Sequence, residues 1–164
     1  MREQVTIRPA GRPDLESILA LCAEHAAFER AAFSLDDARA PLARLLFGRR
    51  PRARCLVAET EHGLVGYATY ALEFSTFRSS LYTHMDCLFV REAHRNAGVG
   101  RRLLAAVAEA ARGLGCEFVE WQTPAWNEPA MRFYGRAGAV GLPKVRYVWR
   151  MEKLVDPRWL GRLD

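Results

Sequence analysis

The stretch Arg95-Asn96-Ala97-Gly98-Val99-Gly100, continued by Arg101-Arg102-Leu103-Leu104, decides the fold. It has the pattern R-x-x-G-x-G and follows the apolar run Leu88-Phe89-Val90. Apolar residues then recur at helical spacing, at Leu103, Leu104, Val107, Ala108 and Ala111. The sequence therefore predicts a strand, a glycine loop and the start of a helix, in that order.

A glycine loop in this position is suited to holding an anion. Glycine lets the backbone approach a ligand closely and adopt positive φ. The first turn of the following helix offers N–H groups without intrahelical acceptors, at the positive end of the helix dipole. Pyrophosphate is the natural guest of such a loop, which leaves open which cofactor carries it.

The composition is that of one globular domain, and we expect a single domain over residues 1–164. Half of the residues are apolar, which is sufficient for a sizeable core. The net charge of +5 comes almost entirely from arginine, spread along the chain without a basic run. We therefore expect an anionic cofactor rather than nucleic acid as the partner of this basic surface.

The sequence lacks the features typical of membrane, secreted and metal-binding proteins. No apolar run approaches the ~20 residues of a transmembrane helix, and the start has no apolar h-region, so neither membrane insertion nor secretion is expected. The four cysteines form no C-x-x-C pair, and the histidines have no metal-ligand spacing, so we expect no metal. Reduced thiols in a cytoplasmic protein are the simplest interpretation.

Hydrophobic periodicity predicts the order β-α-α-β-β-β-α-β-α-β, which implies an α/β fold with a mixed sheet and helices on its faces. Ser34 and Gly48 are the expected N-cap and end of the second helix, and Asp14 favours the start of the first. The predicted elements are strand Val5–Arg8, helices Leu15–Ala26 and Leu35–Phe47, hairpin Cys55–Tyr70, strand Tyr82–Val90, the helix after the glycine loop, strand Phe118–Trp121, helix Glu128–Arg136 and strand Val145–Met151.

Other phosphate-binding motifs are absent. The P-loop pattern G-x-x-x-x-G-K-[ST] does not occur, and Gly98 and Gly100 lack the third glycine of a dinucleotide fingerprint. The zinc motif H-E-x-x-H and the hydrolase motif G-x-S-x-G are also absent.

A second cluster downstream supplies the missing information: Trp126-Asn127-Glu128-Pro129-Ala130-Met131-Arg132-Phe133-Tyr134, followed by Gly138-Ala139. With this segment, the chain resembles the Gcn5-related N-acetyltransferase (GNAT) superfamily over nearly its whole length. Leu88-Phe89-Val90 and Trp126-Asn127-Glu128-Pro129 are most similar to the diamine (spermidine/spermine) acetyltransferase branch.

The resemblance implies acetyl-CoA as the cosubstrate. Its pyrophosphate would lie on the N–H groups of Asn96, Ala97, Gly98, Val99 and Gly100, with charge-assisted bonds from Arg95 and Arg101. The amide-rich pantetheine arm would pair with the backbone of Leu88, Phe89 and Val90 where the strands splay, and Asn127 would contact the same arm.

The resemblance also implies the catalytic residues. An amine arrives protonated, so a base or a water chain must remove its proton. Asp86 occupies the position of the base in the diamine branch; alternatively it binds the substrate ammonium or caps a bulge. Tyr134 matches the general acid that protonates the departing CoA thiolate; alternatively it is a half-buried aromatic residue. A backbone N–H near Leu88 could polarise the thioester carbonyl.

The acceptor side departs from the diamine branch. Cys87 replaces an acidic residue beside the base and, by strand alternation, is expected on the opposite sheet face from Asp86. Arg78 would repel a dication and could instead hold a carboxylate. His84 is expected on the face of Asp86, and the candidate ammonium partners are Glu24, Glu29 and Glu73.

The sequence thus predicts a direct transfer of acetyl from acetyl-CoA to the primary amine of a small molecule, either a diamine or polyamine or an amino-acid-like compound. The alternatives are acetylation of a protein N-terminus or lysine, and a non-catalytic acyl-CoA-binding module. The family resemblance also implies a homodimer.

Overall fold

The computed structural model describes residues 4–149. The helices are α1 (Leu15–Phe28), α2 (Leu35–Phe47), α3 (Val99–Gly113) and α4 (Glu128–Arg136). The strands are β1 (Thr6–Pro9), β2 (Arg54–Thr60), β3 (Gly63–Ser75), β4 (Ser80–Val90) and β5 (Val119–Glu120). Short 3₁₀ turns occupy Arg12–Asp14 and Glu92–His94.

The five strands form one mixed sheet in the order β1-β2-β3-β4-β5. Neighbouring strands from β1 to β4 are antiparallel, and β5 joins β4 in parallel. The parallel ladder consists only of Thr83 with Val119 and His84 with Glu120. Within the described chain, β4 therefore continues beyond His84 without β5 beside it.

Helices cover both faces of the sheet. On one face, Ile18 and Leu21 of α1 pack with Leu46 of α2 against Tyr67 and Phe89. On the other face, α3 packs on β2, β3 and β4 through an apolar stripe that includes the fully buried Leu103 and Val107. This arrangement confirms the predicted mixed sheet with helices on its faces, because each amphipathic helix buries its apolar side on the sheet.

The helix ends follow their local sequence. Ser34 caps α2 by accepting a hydrogen bond from the Asp37 backbone N–H at 3.3 Å, and Gly48 follows the last helical residue as predicted. Asp14 precedes α1, but its carboxylate accepts from the Gly11 N–H at 2.7 Å instead of capping α1. It therefore fixes the turn before the helix.

Arg8 connects this turn to the sheet. Its guanidinium donates to the Asp14 carboxylate at 2.7 and 2.9 Å and to the Glu59 carboxylate of β2 at 2.7 and 2.9 Å. Hydrogen bonding from Arg8 lowers the pKa of both acids. The edge strand β1 is thereby held to β2 and to the chain entering α1.

The last predicted strand is wrong in its described part. Residues 140–149 form neither helix nor strand, and Arg150 and Met151 lie outside the described residues. Val145, Tyr147 and Trp149 are 76, 90 and 62% exposed. An apolar alternating segment becomes a strand only with a neighbouring strand to bond, and no ladder of the described chain includes residues 145–149. The other predicted elements are confirmed, with ends shifted by a few residues.

The described residues pack as two units, divided between Asn127 and Glu128. The first unit contains the sheet and α1 to α3, and the second contains α4. Over residues 4–149, no helix is both long enough and apolar enough to cross a bilayer.

Gly66 on β3 provides a test of the close packing between β3 and the end of β4. A Cβ at this position would lie 2.7 Å from the Phe89 carbonyl oxygen and 3.3 Å from Cγ2 of Val90. We expect Gly66→Ala to lower the free energy of unfolding by about 1–3 kcal/mol, because these close-packed neighbours must move. Urea titration followed by circular dichroism measures this change.

The control is Gly113→Ala at the end of α3, where an added Cβ meets no atom within 4 Å. That variant should be unchanged or more stable by about 0.5–1 kcal/mol, because alanine is the better helix former. Equal stability of Gly66→Ala and wild type would contradict the close approach.

Candidate functional site

The glycine loop forms the predicted start of a helix. Asn96 and Gly98 adopt positive φ values of 60° and 83°, and α3 begins at Val99. The Gly98 carbonyl accepts from the Arg102 N–H at 3.1 Å, which closes the first helical turn. A Cβ added at Gly98 would project into open space, since no atom would lie within 4 Å of it. The helix therefore begins beside open space, and its first-turn amides have no intrahelical acceptor, which suits an anion.

The Arg95 side chain packs against the end of β4 and α1. Its Nε donates to the Val90 carbonyl at 2.9 Å, and its guanidinium carbon lies 4.7 Å from the Phe28 ring centroid and 5.6 Å from that of Phe89. Arg95 thus links the end of β4 to α1 by cation–π contact. Arg101, on the first turn of α3, remains exposed.

Asp86 occupies a β-bulge in β4. Cys87 pairs with Thr69 of β3 and Met85 pairs with Tyr70, so Asp86 is an extra residue without a cross-strand partner. A bulge bends its strand and re-aims the side chains around it. Asp86 is exposed, and it lies two residues after His84, where the ladder between β4 and β5 ends.

The bulge corrects the prediction that Cys87 and Asp86 lie on opposite faces. The Cys87 thiol donates to the Asp86 carboxylate at 3.5 Å, which requires both side chains on the same side. Strand alternation holds only for a regular ladder, and the extra residue breaks it. Burial, aided by the nearby Asp86 carboxylate, raises the pKa of Cys87 to about 12. Cys87 is therefore a neutral thiol and not an activated nucleophile.

A cluster of polar side chains next to Asp86 lies between α1 and the strands β3 and β4. The Tyr67 hydroxyl is 3.0 Å from Nδ1 of His25, and the thiols of Cys22 and Cys87 are near enough to act on it electrostatically. The His25 ring stacks on Phe89 with centroids 5.0 Å apart. Burial raises the pKa of the Tyr67 hydroxyl and of both thiols.

His25 is held in its neutral form. Burial lowers its pKa, and this effect outweighs the opposing attraction of Glu29, whose carboxylate lies 3.5 Å from Nε2. The charges of Asp86 and Arg95 also act on this imidazole, in opposite directions. His25 therefore lies close enough to Asp86 and Arg95 for both charges to affect its pKa.

The other acceptor-side candidates have separate positions. The Glu24 carboxylate is bonded by Arg91 at 2.7–3.1 Å. The guanidinium of Arg78 lies 4.3 Å from the ring centroid of Phe118, which stacks on Tyr82, so Arg78 belongs to the cluster around β5. Glu73 is exposed on β3, opposite Tyr82, and His84 is half-buried on β4.

Of the remaining predicted site residues, Leu88, Phe89, Val90 and Asn127 lie in the first unit and Tyr134 lies in the second. Leu88 is half-buried and Phe89 and Val90 are buried at the end of β4, while Asn127 is buried and donates its backbone N–H to the Pro124 carbonyl at 2.9 Å. Tyr134 is half-buried on α4 in the second unit, where its ring lies 5.1 Å from that of Phe133. The first unit thus brings together the loop, the end of β4 and Asp86.

Four contributors to the site were not predicted from the sequence: His25, Tyr67, Phe28 and Arg30. Phe28 contacts Trp126 with ring centroids 6.0 Å apart, and the Arg30 guanidinium lies 5.5 Å from the Trp126 centroid. His25 had a local signal, because it follows Cys22 by three residues and so shares its helix face. The other contacts join residues far apart in the chain.

Known proteins were compared with the chain. The model of the acetyltransferase (GNAT) family matches residues 15–139. A thialysine N-epsilon-acetyltransferase from Bos taurus is 30% identical over 146 residues, which cover 84% of this chain and 85% of that protein. Spermidine/spermine N(1)-acetyltransferase-like protein 1 from Homo sapiens is 26% identical over 164 residues, covering 93% of this chain and 24% of that protein.

The solved structures include an aminoglycoside N-acetyltransferase in complex with CoA. It matches with a TM-score of 0.79 at 18% identity, covering 92% of this chain and 97% of that one. This likeness shows that the two chains share a fold.

The neutral His25 predicts a loss of stability in mild acid. Its folded-state pKa lies below the unfolded value of about 6.5, so the unfolded chain takes up the proton first as the pH falls. The contribution of the neutral His25 to the stability of the fold is therefore fully present above about pH 6.5 and decreases below it. We expect His25→Gln to make the decline between pH 7 and 5 shallower, by at most ~1.4 kcal/mol per pH unit.

Urea titrations at several pH values measure this slope. His62→Gln is the control, because the His62 side chain is 79% exposed and its replacement should leave the slope unchanged. A slope in His25→Gln equal to that of the wild type would show that His25 is not buried as a neutral ring.

Proposed function

The chain belongs to the GNAT family of acetyltransferases, and we propose that it transfers acetyl from acetyl-CoA to the primary amine of a small molecule. One observation carries this proposal: within the described residues, β4 has no β5 partner after His84, and this stretch contains the Asp86 bulge and leads to the glycine loop. A carboxylate, an open strand edge and an anion-binding helix start therefore follow one another along the chain.

The donor half of the proposal uses mostly backbone groups. The amides from Asn96 to Gly100 and the first turn of α3 would hold the pyrophosphate, with Arg101 adding charge. The open edge from Leu88 to Val90 offers N–H and C=O groups to an amide-rich arm. Asn127 would bind the same arm. These residues orient the donor, and acetyl-CoA supplies the thioester.

The acceptor half requires removal of a proton. The amine arrives as an ammonium ion, and Asp86, directly or through water, would take one proton so that the nitrogen can attack the thioester carbonyl. A new C–N bond forms, the C–S bond breaks, and Tyr134 would give a proton to the departing thiolate. The second proton that the nitrogen loses would pass to solvent, and Tyr134 would regain its proton from solvent. The backbone N–H near Leu88 would stabilise the negative charge that develops on the carbonyl oxygen.

A small-molecule acceptor is supported by the names of the relatives. The Bos taurus relative is named for thialysine, and the human relative is named for spermidine and spermine. All three compounds are small molecules with primary amines. We also expect a cytoplasmic homodimer that binds neither nucleic acid nor membranes. Light scattering on the purified protein tests the oligomeric state.

The catalytic roles are tested by removing single groups. We expect Tyr134→Phe and Asp86→Asn each to lower kcat by about 10²-fold or more, because each loses its proton transfer. The affinity for acetyl-CoA should stay within about twofold, since neither change touches the pyrophosphate loop. The measurement is CoA thiol release with a panel of polyamines, basic amino acids and aminoglycosides.

Phe133→Leu serves as the control for the Tyr134 variant, because it perturbs the neighbouring ring and leaves the phenol in place. Unchanged turnover in Tyr134→Phe would remove that residue from the acid role. Release of CoA with peptides alone would favour a protein acetyltransferase, and CoA binding without turnover of any amine would favour a non-catalytic module.

The glycine loop has its own matched pair of variants. Gly98 and Gly115 flank opposite ends of α3, both have positive φ, and neither would place a Cβ within 4 Å of another atom. Gly98→Leu and Gly115→Leu therefore add similar backbone strain of about 1–2 kcal/mol. We expect only Gly98→Leu to weaken CoA binding, by at least tenfold in titration calorimetry, because its side chain fills the anion site. Equal affinities in the two variants would contradict this site.

A further inference from the structure

The end of α1 places an arginine where glycine is favoured. The Arg30 N–H bonds the Ala27 carbonyl at 3.2 Å and the Ala31 N–H bonds the Ala26 carbonyl at 2.8 Å, which is the Schellman pattern that ends a helix. The residue at the turn must adopt the left-handed conformation, and Arg30 does so with φ of 57°. A non-glycine residue is strained there, and such strain points to a use of the side chain.

The Arg30 side chain belongs to a row of aromatic rings and guanidinium groups. Its guanidinium lies 5.5 Å from the Trp126 centroid, Trp126 contacts Phe28 at 6.0 Å, and the Arg95 guanidinium lies over Phe28 at 4.7 Å and Phe89 at 5.6 Å. Trp126 and Phe28 are still 48 and 40% exposed. The row is therefore an accessible surface in which rings fix the direction of two cations.

The positive charges of this row have no carboxylate partner among the described residues. Over residues 4–149, neither Arg30 nor Arg95 forms an ion pair with a carboxylate. The nearby acids are engaged elsewhere: Glu24 bonds Arg91 at 2.7 Å, and Glu29 faces His25 at 3.5 Å. Two guanidinium groups thus remain available to an anion from solution.

The row also borders the proposed site of transfer. Phe89 lies between Leu88 and Val90 on the open edge of β4, Arg95 begins the glycine loop, and Trp126 precedes Asn127. Arg95 and Asp86 both act on the His25 ring, which stacks on Phe89. An acceptor whose amine reaches Asp86 would extend toward this row.

We propose that Arg30 and Arg95 bind a carboxylate of the acceptor, so that the substrate is an amino acid with a side-chain amine and not a diamine. This inference rests on the proposed function and specifies its substrate class. The sequence had suggested Arg78 as the residue that holds a carboxylate; here Arg30 and Arg95 take that role instead. Guanidinium groups bind carboxylates by charge-assisted hydrogen bonds, whereas a diamine brings its second ammonium without a carboxylate to offset the repulsion.

The test compares acceptors that differ only by the carboxylate: ornithine with putrescine, and lysine with cadaverine. In CoA-release assays, the wild type should favour the amino acid of each pair by at least tenfold in kcat/KM. Arg30→Gly should reduce this ratio by about tenfold or more, mainly through KM for the amino acid. The midpoint of its thermal unfolding should be equal to or above that of the wild type, because glycine suits the left-handed turn.

Arg78→Gln is the matched control, since Arg78 is another arginine stacked on an aromatic ring. It should leave the ratio unchanged. A wild type that turns over the diamines as well as the amino acids, or an unchanged ratio in Arg30→Gly, would overturn the carboxylate site and leave the transferase intact. A failure to release CoA with every amine would overturn the proposed function and the inference together.

Discussion

The single extra residue in β4 is the constraint on which the rest of the site depends. Without the bulge, Asp86 and Cys87 would alternate across the sheet and only one of them could face α1. With it, the thiol and the carboxylate are 3.5 Å apart on one side. The same bulge follows His84, the last residue of β4 that pairs with β5. The local bend therefore coincides with the opening of the strand edge, and these two features together bring a potential base beside the place where a donor could pair.

Burial keeps the layer below Asp86 uncharged. It raises the pKa of Tyr67 and of the Cys22 and Cys87 thiols, and it lowers the pKa of His25, so each of these groups is neutral near pH 7. The hydrogen bond between His25 and Tyr67 pairs two polar groups in an apolar setting formed by Phe89 and α1. A neutral layer leaves Asp86 and Arg95 as the charged groups that act on His25 beside Glu29.

The sequence predicted well the features that arise from neighbouring residues. The bounds of α2, its Ser34 cap and the glycine loop agree with the structure, because caps and helical periodicity act within one or two turns. The prediction failed where distant segments decide. The alternation of side chains along a strand could not reveal the extra residue at Asp86. The apolar alternation from Val145 onward could not show that residues 145–149 have no neighbouring strand in the described chain. The sequence also contained no signal for the contact between the Arg95 guanidinium and the ring of Phe28 on α1.

This difference has a chemical consequence for the two halves of the site. The proposed donor site depends mainly on backbone amides of one continuous segment, which any suitable loop and helix start can provide. The acceptor side combines side chains from the end of α1, the β4 bulge and the segment before Asn127, and each can change independently of the loop. Donor chemistry can therefore be common to relatives named for thialysine and for spermidine or spermine, while the charge around Asp86 selects the amine. In this chain Arg30 and Arg95, the side chains that we propose for the acceptor carboxylate, carry positive charge, and a neutral thiol stands beside Asp86. These charges favour an acceptor that carries a negative group of its own.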